Sequence, residues 1–454
     1  MSRVVVRLAR SQKAQQRTSR KSIFLLAGAM VVAGSAALFA GDDHNPPAAE
    51  ISGEPLHKAA PEEIATFQGL ANEAPKAIPL PTTNGERPKT PTASATAPLG
   101  SLIDLDHIKR NGDVYEAPLS DGRMATLTLD PDLQPLAEKL LEQARAPKGA
   151  IVVMSTDGRI LALAGRRTEE PEGSREGTFD WRLATDVWAP AASVFKLVTA
   201  SALVAAGVDG NDKVCFHGGI RSVMESNLVD SKKDTRCESL AYGVAHSNNA
   251  ILGKLAFQRL TPDSLDEMAR TLGFVGALPG KELPGNAGNV AIPPVRDLAF
   301  AKTAAGFANT ELSVAGGAVL ASTFANGGEQ PTPRLIAAID GEPVPGSSKK
   351  RVLPAAAANQ VARMMAGTCE NGSAAKTFRK NAEAWKSAGK TGTLTRDKPF
   401  YMEHSWFVGF APVEKPSIVV SVVFGNPENW YLRGHEAARR LIDRALRPKK
   451  NAKS

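Results

Sequence analysis

The chain has 454 residues, of which 43% are hydrophobic and 22% are charged, and its formal net charge is +8. This length and composition exclude a mini-protein held together by disulfides and a wholly disordered chain, and a mean hydropathy of −0.19 excludes a protein with many membrane spans. A net positive charge suggests nucleic acid or an anionic membrane as a partner. Whether either applies depends on where in the chain the charges lie.

The positive charge is concentrated at the two ends of the chain. Residues 1–22 contain seven Lys and Arg and no acid, and residues 23–40 form an uncharged apolar run. A basic flank before an apolar run of this length predicts a transmembrane anchor with a cytoplasmic N-terminal tail. A cleaved signal peptide and a buried helix are the alternatives. Residues 439–454, which end in the basic tail 449–454, carry +6, so residues 23–438 carry −5 and nothing indicates nucleic acid.

Proline-rich sequence follows the predicted anchor. Residues 41–98 contain ten of the 31 prolines and few large apolar residues, which predicts an extended linker. Residues 99–123 are interpreted as a short leading segment or a reduced pedestal. Ordered patterning begins near Met124, and residues 124–448 are predicted to form the globular domain.

Strands and helices alternate unevenly along this domain. A strand over 124–130 is followed by a helix that Asp130 and Pro131 open, and Asp157-Gly158 marks a hairpin between 149–154 and 159–164. Helical patterns then dominate, over residues 194–206, 240–260, 262–272, 295–308, 312–325 and 354–365. Strand patterns return over residues 384–395, 405–411 and 417–424, before a last helix over 435–446. This order predicts an α+β fold in which both ends of the domain build an antiparallel sheet, covered by helices and carrying an inserted helical subdomain.

The three cysteines and seven histidines show no spacing typical of a metal site, and no cofactor is predicted. Outside the cytoplasm, a disulfide between Cys215 and Cys237 would close a loop of about twenty residues and stabilise the chain by about 3 kcal/mol. Together with Cys369, these residues are otherwise three unrelated thiols. Both interpretations remain open at this point.

A search for a nucleophile beside a base finds Ser-x-x-Lys four times. The pairs are Ser193/Lys196, Ser347/Lys350, Ser373/Lys376 and Ser387/Lys390. Ser347 lies in a charged loop, and Ser373 follows a predicted turn. Ser387 and Lys390 lie in a predicted strand, where positions i and i+3 point to opposite faces. Only Ser193 opens a long apolar helix.

A helix start would place Ser193 and Lys196 one turn apart on the same face. The free N–H groups of a helix N-terminus would stabilise a developing oxyanion, and burial would lower the pKa of Lys196 until it acts as a base. The alternative is a serine cap beside a surface lysine.

Two further motifs follow in the chain, Ser247-Asn248-Asn249 and Lys390-Thr391-Gly392 with Thr393 after it. In this order and context, the three motifs resemble those of the penicillin-binding proteins, specifically the D,D-transpeptidase domain of monofunctional, class B-like members. The resemblance covers residues 124–446. It extends to the segments 127–134, 325–331 and 406–412.

The resemblance implies a fold like that of serine β-lactamases and penicillin-binding transpeptidases, and it implies roles for the motif residues. Ser193 would be the acyl-accepting nucleophile and Lys196 the base that activates it. Ser247 would relay a proton to the leaving amine, and Asn249 would orient the substrate amide.

Residues of the last motif would bind the end of the substrate. Lys390 and the hydroxyls of Thr391 and Thr393, with Gly392 between them, would hold the terminal carboxylate of a D-Ala-D-Ala stem peptide. The backbone N–H groups of Ser193 and Thr393 would form the oxyanion hole. The same site would react covalently with β-lactams.

The resemblance also implies a location and partners. The catalytic domain would be periplasmic or extracellular, held at the inner membrane by the anchor. No glycosyltransferase domain precedes residue 124, so a separate glycosyltransferase would polymerise the glycan. One departure concerns the residues before the nucleophile, where the family has Pro-Gly-Ser and this chain has Pro190-Ala191-Ala192-Ser193. The added side chains are expected to narrow the site or alter the turn.

Three other functions remain open from the sequence. A D,D-carboxypeptidase would use the same motifs with water as the acceptor. A serine β-lactamase is less well supported, because no Glu-x-x-Leu-Asn motif lies between Ser247 and Lys390. A non-catalytic scaffold or β-lactam sensor is the hypothesis that Ala191 and Ala192 support.

Overall fold

The computed structural model describes residues 103–168, 173–219, 222–280, 282–379, 385–398 and 400–447. The predicted anchor, linker and basic tail (residues 23–40, 41–98 and 449–454) lie outside these residues. Within the described ranges, no helix combines the length and the apolar character needed to cross a membrane.

Nineteen strands and ten α-helices are found in the described residues. The strands are β1 Lys109–Asn111, β2 Val114–Pro118, β3 Met124–Leu127, β4 Lys148–Ser155, β5 Ile160–Arg167, β6 Thr178–Phe179, β7 Ala189–Pro190, β8 Lys213–Phe216, β9 Arg236–Ser239, β10 Gly276–Ala277, β11 Asn286–Val290, β12 Thr310–Leu312, β13 Glu329–Pro331, β14 Ile336–Ile339, β15 Glu342–Pro343, β16 Lys349–Arg351, β17 Ala388–Arg396, β18 Met402–Ala411 and β19 Ile418–Asn426. The helices are α1 Leu133–Ala144, α2 Lys196–Ala205, α3 Leu240–Ala245, α4 Asn249–Arg259, α5 Pro262–Thr271, α6 Leu298–Ala304, α7 Val314–Ala325, α8 Ala355–Glu370, α9 Ala375–Phe378 and α10 Gly434–Leu446.

The central sheet has six strands in the order β17-β18-β19-β4-β5-β6, and every described pairing in it is antiparallel. The strands β4 and β5 come early in the chain and β17 to β19 come late, with the helical segments between them. The α+β prediction, with an antiparallel sheet built from both ends of the domain, is therefore confirmed.

Both faces of this sheet are buried. On β19, Val420 and Val422 pack with α1 and α10, whereas Val419 and Val423 face the helical insert and α7. Because side chains alternate between two apolar environments, residues 406–411 of β18 and 418–424 of β19 are largely apolar rather than alternating. β17, one of the two edge strands, is thus held by a sheet that is packed on both faces.

A second sheet joins the leading segment to the rest of the domain. Its five strands lie in the order β1-β2-β3-β14-β15. Asp106 also accepts hydrogen bonds from Trp181 Nε1 at 2.9 Å and from Arg182 Nη1 at 2.9 Å. Strand pairing and side-chain contacts therefore both cross the boundary predicted at residue 124.

The first helix begins later than the sequence predicts. It starts at Leu133 rather than at Pro131, because Asp130 closes a turn before it. Asp130 Oδ1 accepts hydrogen bonds from the backbone N–H of Asp132 at 2.9 Å and of Leu133 at 3.1 Å. The aspartate still satisfies free N–H groups of the helix start, as the pattern indicates, but from outside the helix.

The predicted helix over 240–260 is two helices. Its interruption falls at Ser247, whose φ of 56° lies in the left-handed region. The side chain of Asn248 then caps α4 by accepting from Ile251 N–H at 3.0 Å. Asn at this position offers the backbone a cap in place of continued helix, which ends α3 and starts α4.

A disulfide joins Cys215 and Cys237, which are paired residues of β8 and β9. Cys369 is a free, buried thiol, and burial raises its pKa. No group of three or more His, Cys, Asp and Glu side chains suited to a metal ion is found among the described residues.

Candidate active site

Ser193 lies on a short 3₁₀ turn, Ala192–Phe195, that leads directly into α2. The sequence predicts a helix from residue 194, whereas the structure tightens this first turn. In 3₁₀ geometry residues i and i+3 eclipse one another. Lys196 Nζ consequently lies 2.6 Å from Ser193 Oγ.

Lys196 is fully buried and has two carbonyl partners besides Ser193. Its Nζ donates to Asn249 Oδ1 at 2.8 Å and to the backbone oxygen of Ala305 at 2.8 Å. Burial, and then the charge of Lys390, lower the pKa of Lys196 well below its ordinary value. In the neutral amine both hydrogens are taken by the two carbonyls, so the remaining lone pair faces the Ser193 hydroxyl and can accept its proton.

Ser247 and Asn249 reach the site because α3 and α4 are separate. Ser247 Oγ accepts a hydrogen bond from Lys390 Nζ at 2.9 Å. Asn249 is the first residue of α4, and its backbone N–H donates to the oxygen of Gly219 at 2.9 Å. The second motif therefore lies between the two lysines: Asn249 contacts Lys196, and Ser247 contacts Lys390.

Lys390 lies on the edge strand β17 and is fully buried. Besides Ser247, its Nζ donates to the backbone oxygen of Thr391 at 2.9 Å. Burial lowers the pKa of Lys390 to about 7. Near neutral pH this group is therefore partly protonated, and a bound anion would favour its charged form.

Gly392 lets the turn that carries Ser193 pack against β17. A Cβ on Gly392 would lie 3.2 Å from Trp406 Cβ and 3.3 Å from Ala192 Cβ, which is tight for any side chain. Trp406 Nε1 also donates to the oxygen of Pro190 at 2.8 Å. The turn that carries Ser193 is thus fixed to the sheet at both of these points.

The hydroxyls of the last motif differ in their surroundings. Thr391 Oγ1 lies 2.6 Å from Ser373 Oγ, whereas the side chain of Thr393 is exposed. β17 is the terminal strand of the described sheet, so one edge of Thr391 to Thr393 faces away from β18. The roles predicted for these hydroxyls and for the N–H groups of Ser193 and Thr393 remain predictions.

Ser373 is a site neighbour that the sequence interpretation set aside, because its Ser-x-x-Lys pattern follows a turn. The signal that finds it is spatial, since Ser373 comes just before α9 and beside β17. The remaining serines lie elsewhere. Ser347 Oγ donates to the Thr332 oxygen at 2.6 Å in a distant loop, and Ser387 is buried at the start of β17.

Ala191 and Ala192, where the chain departs from the family's Pro-Gly-Ser, lie in the core rather than at the surface of the site. Both residues are buried, and Ala192 adopts a φ of 51°. A residue with a Cβ costs about 1–2 kcal/mol in this left-handed region, where glycine costs nothing comparable. Ala192 therefore holds a strained backbone conformation next to Ser193.

Comparison with known proteins agrees with this geometry. The family model for the penicillin-binding protein transpeptidase domain matches residues 149–445. The chain therefore belongs to the penicillin-binding protein transpeptidase family, and the class B-like resemblance seen in the sequence is confirmed.

Three relatives show how far the similarity extends. The penicillin-binding protein PbpB of Mycobacterium tuberculosis is 26% identical over 336 residues, 67% of this chain and 48% of that protein. The peptidoglycan D,D-transpeptidase PbpA of Mycobacterium tuberculosis is 24% identical over 354 residues, 70% of each chain. The chain thus spans about half the length of the first relative. The solved D,D-transpeptidase domain of a peptidoglycan glycosyltransferase from Eggerthella lenta has a TM-score of 0.57 and 26% identity, covering 72% of this chain and 83% of that one.

Proposed function

We propose that the protein is a serine-type peptidoglycan D,D-transpeptidase that cross-links stem peptides through an acyl-enzyme on Ser193. One observation carries the proposal: the buried amine of Lys196, with its lowered pKa, lies 2.6 Å from Ser193 Oγ. A neutral lysine in contact with a serine hydroxyl is a base and nucleophile pair. The named D,D-transpeptidase among the relatives supports the same reaction.

Acylation begins with proton transfer from Ser193 to Lys196. The Ser193 oxygen forms a bond to the carbonyl carbon of the D-Ala-D-Ala peptide bond, and the N–H groups of Ser193 and Thr393 stabilise the oxyanion. The C–N bond then breaks, and the terminal D-Ala leaves as an amine. Ser247, which contacts Lys390, relays to this amine the proton that Lys196 took from Ser193, so that Lys390 keeps its charge.

The substrate carboxylate is held at β17. Protonated Lys390 and the hydroxyls of Thr391 and Thr393 supply a positive charge and two donors, and Gly392 between them lets the turn that carries Ser193 pack against the strand. Asn249 orients the substrate amide while its Oδ1 accepts from Lys196. A β-lactam, which also carries an amide and a carboxylate, enters by the same contacts and acylates Ser193.

Deacylation by the amine of a second stem peptide completes the cross-link. The enzyme acts at the outer face of the inner membrane, anchored through residues 23–40, and it works with a separate glycosyltransferase that supplies the glycan. Attack by water instead would make it a D,D-carboxypeptidase, so the two activities differ only in the acceptor.

Fluorescent penicillin followed by mass spectrometry tests the proposal. We expect one stable adduct on Ser193, which Ser193→Ala abolishes, whereas Ser347→Ala and Ser373→Ala retain it. A folded wild-type protein that takes no label supports a non-catalytic scaffold. Rapid turnover of a chromogenic cephalosporin supports a β-lactamase, and release of D-Ala without any cross-linked product supports a carboxypeptidase.

A further inference from the structure

The loop between β8 and β9 contains a second array of a serine, a histidine and an aspartate. His217 Nδ1 lies 2.6 Å from Asp234 Oδ1, and His217 Nε2 lies 3.1 Å from Ser226 Oγ. Exposure increases along the array, from 5% for the Asp234 side chain to 15% for His217 and an exposed Ser226. A buried acid, a base with little exposure and an exposed hydroxyl form the arrangement that activates a nucleophile.

The array has a definite protonation pattern. Burial raises the pKa of Asp234, but hydrogen bonds from His217 and Lys254 outweigh burial and lower it to about 2. An ionised carboxylate only accepts hydrogen bonds, so the proton of neutral His217 lies on Nδ1. Nε2 is then left as an acceptor, and it faces the Ser226 hydroxyl.

Two further charged groups, Lys254 and Asp230, lie beside Asp234. Lys254 is fully buried on α4, and its Nζ contacts Asp234 Oδ2 at 2.8 Å and Asp230 Oδ1 at 2.9 Å. These three groups together carry one net negative charge. The Lys254 ammonium therefore does not fully neutralise the two acids.

The position of each member of the array is fixed by the fold. The disulfide closes the base of the loop, two residues before His217 and three residues after Asp234. The buried Asn227, next to Ser226, donates from Nδ2 to the His217 oxygen at 2.8 Å. The histidine and the turn that carries Ser226 are therefore held together independently of their own hydrogen bond.

Two exposed apolar side chains flank the serine in sequence. Met224 is 50% exposed and Val229 is 56% exposed. From this juxtaposition of Ser226, His217 and Asp234, with two exposed apolar side chains within three residues of the serine, we propose that Ser226 is a second base-activated nucleophile, which accepts a small apolar acyl group from an activated ester. This site is separate from Ser193 and does not depend on the transpeptidase proposal.

The acyl transfer balances without any other reactant. Ser226 Oγ forms a bond to the acyl carbon while its proton passes to His217 Nε2. The bond between the acyl carbon and the ester oxygen breaks, and the alcohol leaves with the proton from His217. A fluorophosphonate reports the same reactivity, because the Ser226 oxygen bonds to phosphorus and fluoride leaves.

The test treats the full chain with an alkyl fluorophosphonate and, separately, with p-nitrophenyl butyrate, and locates adducts by peptide mass spectrometry. The protein is first saturated with penicillin to occupy Ser193. We expect an adduct on Ser226 that Ser226→Ala removes and that His217→Gln and Asp234→Asn reduce at least tenfold. Ser222→Ala, which changes another exposed serine of the same loop, is the matched control and leaves the adduct in place.

Two outcomes would overturn the proposal. One is a wild-type protein in which Ser226 is labelled no faster than Ser222. The other is an adduct on Ser226 whose rate of formation is unchanged in His217→Gln, because the serine would then react without its base. Penicillin labelling and thermal unfolding of each variant, measured in parallel, separate these outcomes from loss of the fold.

Discussion

Ser373 Oγ and Thr391 Oγ1 lie 2.6 Å apart, so a hydroxyl outside the three motifs fixes the orientation of a hydroxyl within them. We expect Ser373→Ala to lower the second-order rate constant of penicillin acylation about fivefold, since one hydrogen bond is worth about 1 kcal/mol. The measurement is the second-order rate constant of labelling. Ser373→Thr, which keeps the hydroxyl, should restore most of the rate, and an equal loss in both variants would show that the hydroxyl is not what matters.

Replacing the base is predicted to remove acylation almost completely. Arg cannot lose its proton near neutral pH, so Lys196→Arg is expected to slow penicillin labelling about 10²–10⁴-fold. Lys350→Arg, in another Ser-x-x-Lys pair whose lysine is exposed, provides the control and should label at the wild-type rate. Normal labelling of a folded Lys196→Arg protein would disprove the role assigned to this amine.

The pH profile of acylation is predicted to be bell-shaped. On the acid side the rate falls as Lys196 becomes protonated, and on the alkaline side it falls above a pH of about 7 as Lys390 loses the charge that binds the carboxylate. Stopped-flow acylation from pH 5 to pH 9 gives the profile. Lys390→Arg, which stays charged, should shift the alkaline limb to higher pH.

Unfolding would not produce that alkaline limb. The pKa of Lys390 falls from 10.5 to about 7 on folding, so between these values the unfolded chain binds more protons than the folded one. The contribution of this group to stability therefore rises with pH across that window. A melting temperature that fell in parallel with the rate would contradict this assignment.

The close packing at Gly219 predicts a loss of both stability and acylation. Gly219 has a φ of +79°, and a Cβ there would overlap Ala250, next to Asn249. Gly207 also has a positive φ, of +85°, but a Cβ there would meet no atom within 4 Å. Gly219→Ala should therefore be about 1–3 kcal/mol less stable than Gly207→Ala, because only the first adds overpacking to backbone strain.

Denaturant unfolding and penicillin labelling measure the two effects. Because Asn249 N–H donates to the Gly219 oxygen, a displaced loop should also move the Asn249 amide away from Lys196. We expect slower acylation in Gly219→Ala than in Gly207→Ala. Equal labelling rates would show that the loop does not position Asn249.

The central sheet and the three motifs were predictable because each leaves a local pattern. Residues 406–411 of β18 and 418–424 of β19 are largely apolar, and Asp157-Gly158 marks the turn between β4 and β5. Lys196 was distinguished from the other candidates by the apolar helix around it. These features depend on residues that are close in sequence, so a local sequence pattern is enough to predict them.

Features that depend on distant residues were not predictable. The strand β14 pairs with β3 some 200 residues away, and the short, exposed β1 has no pattern of its own. The carbonyls of Ala305 and Gly219 contact the site through the backbone, which carries no sequence signature. The break at Ser247 is different, because its signal, the Asn248 cap, is local and was outweighed by the helical pattern over residues 240–260.

The pairing of β4 with β19 has a consequence for how the protein is made. Ser155 pairs with Ile418, so the centre of the sheet joins segments separated by more than half of the chain. Contacts of such sequence separation form slowly, because a long loop must close first. Synthesis has to pass residue 426 before the sheet can close and present β17 to Ser193. Penicillin reactivity during synthesis should therefore appear late and abruptly, which makes it a direct reporter of folding.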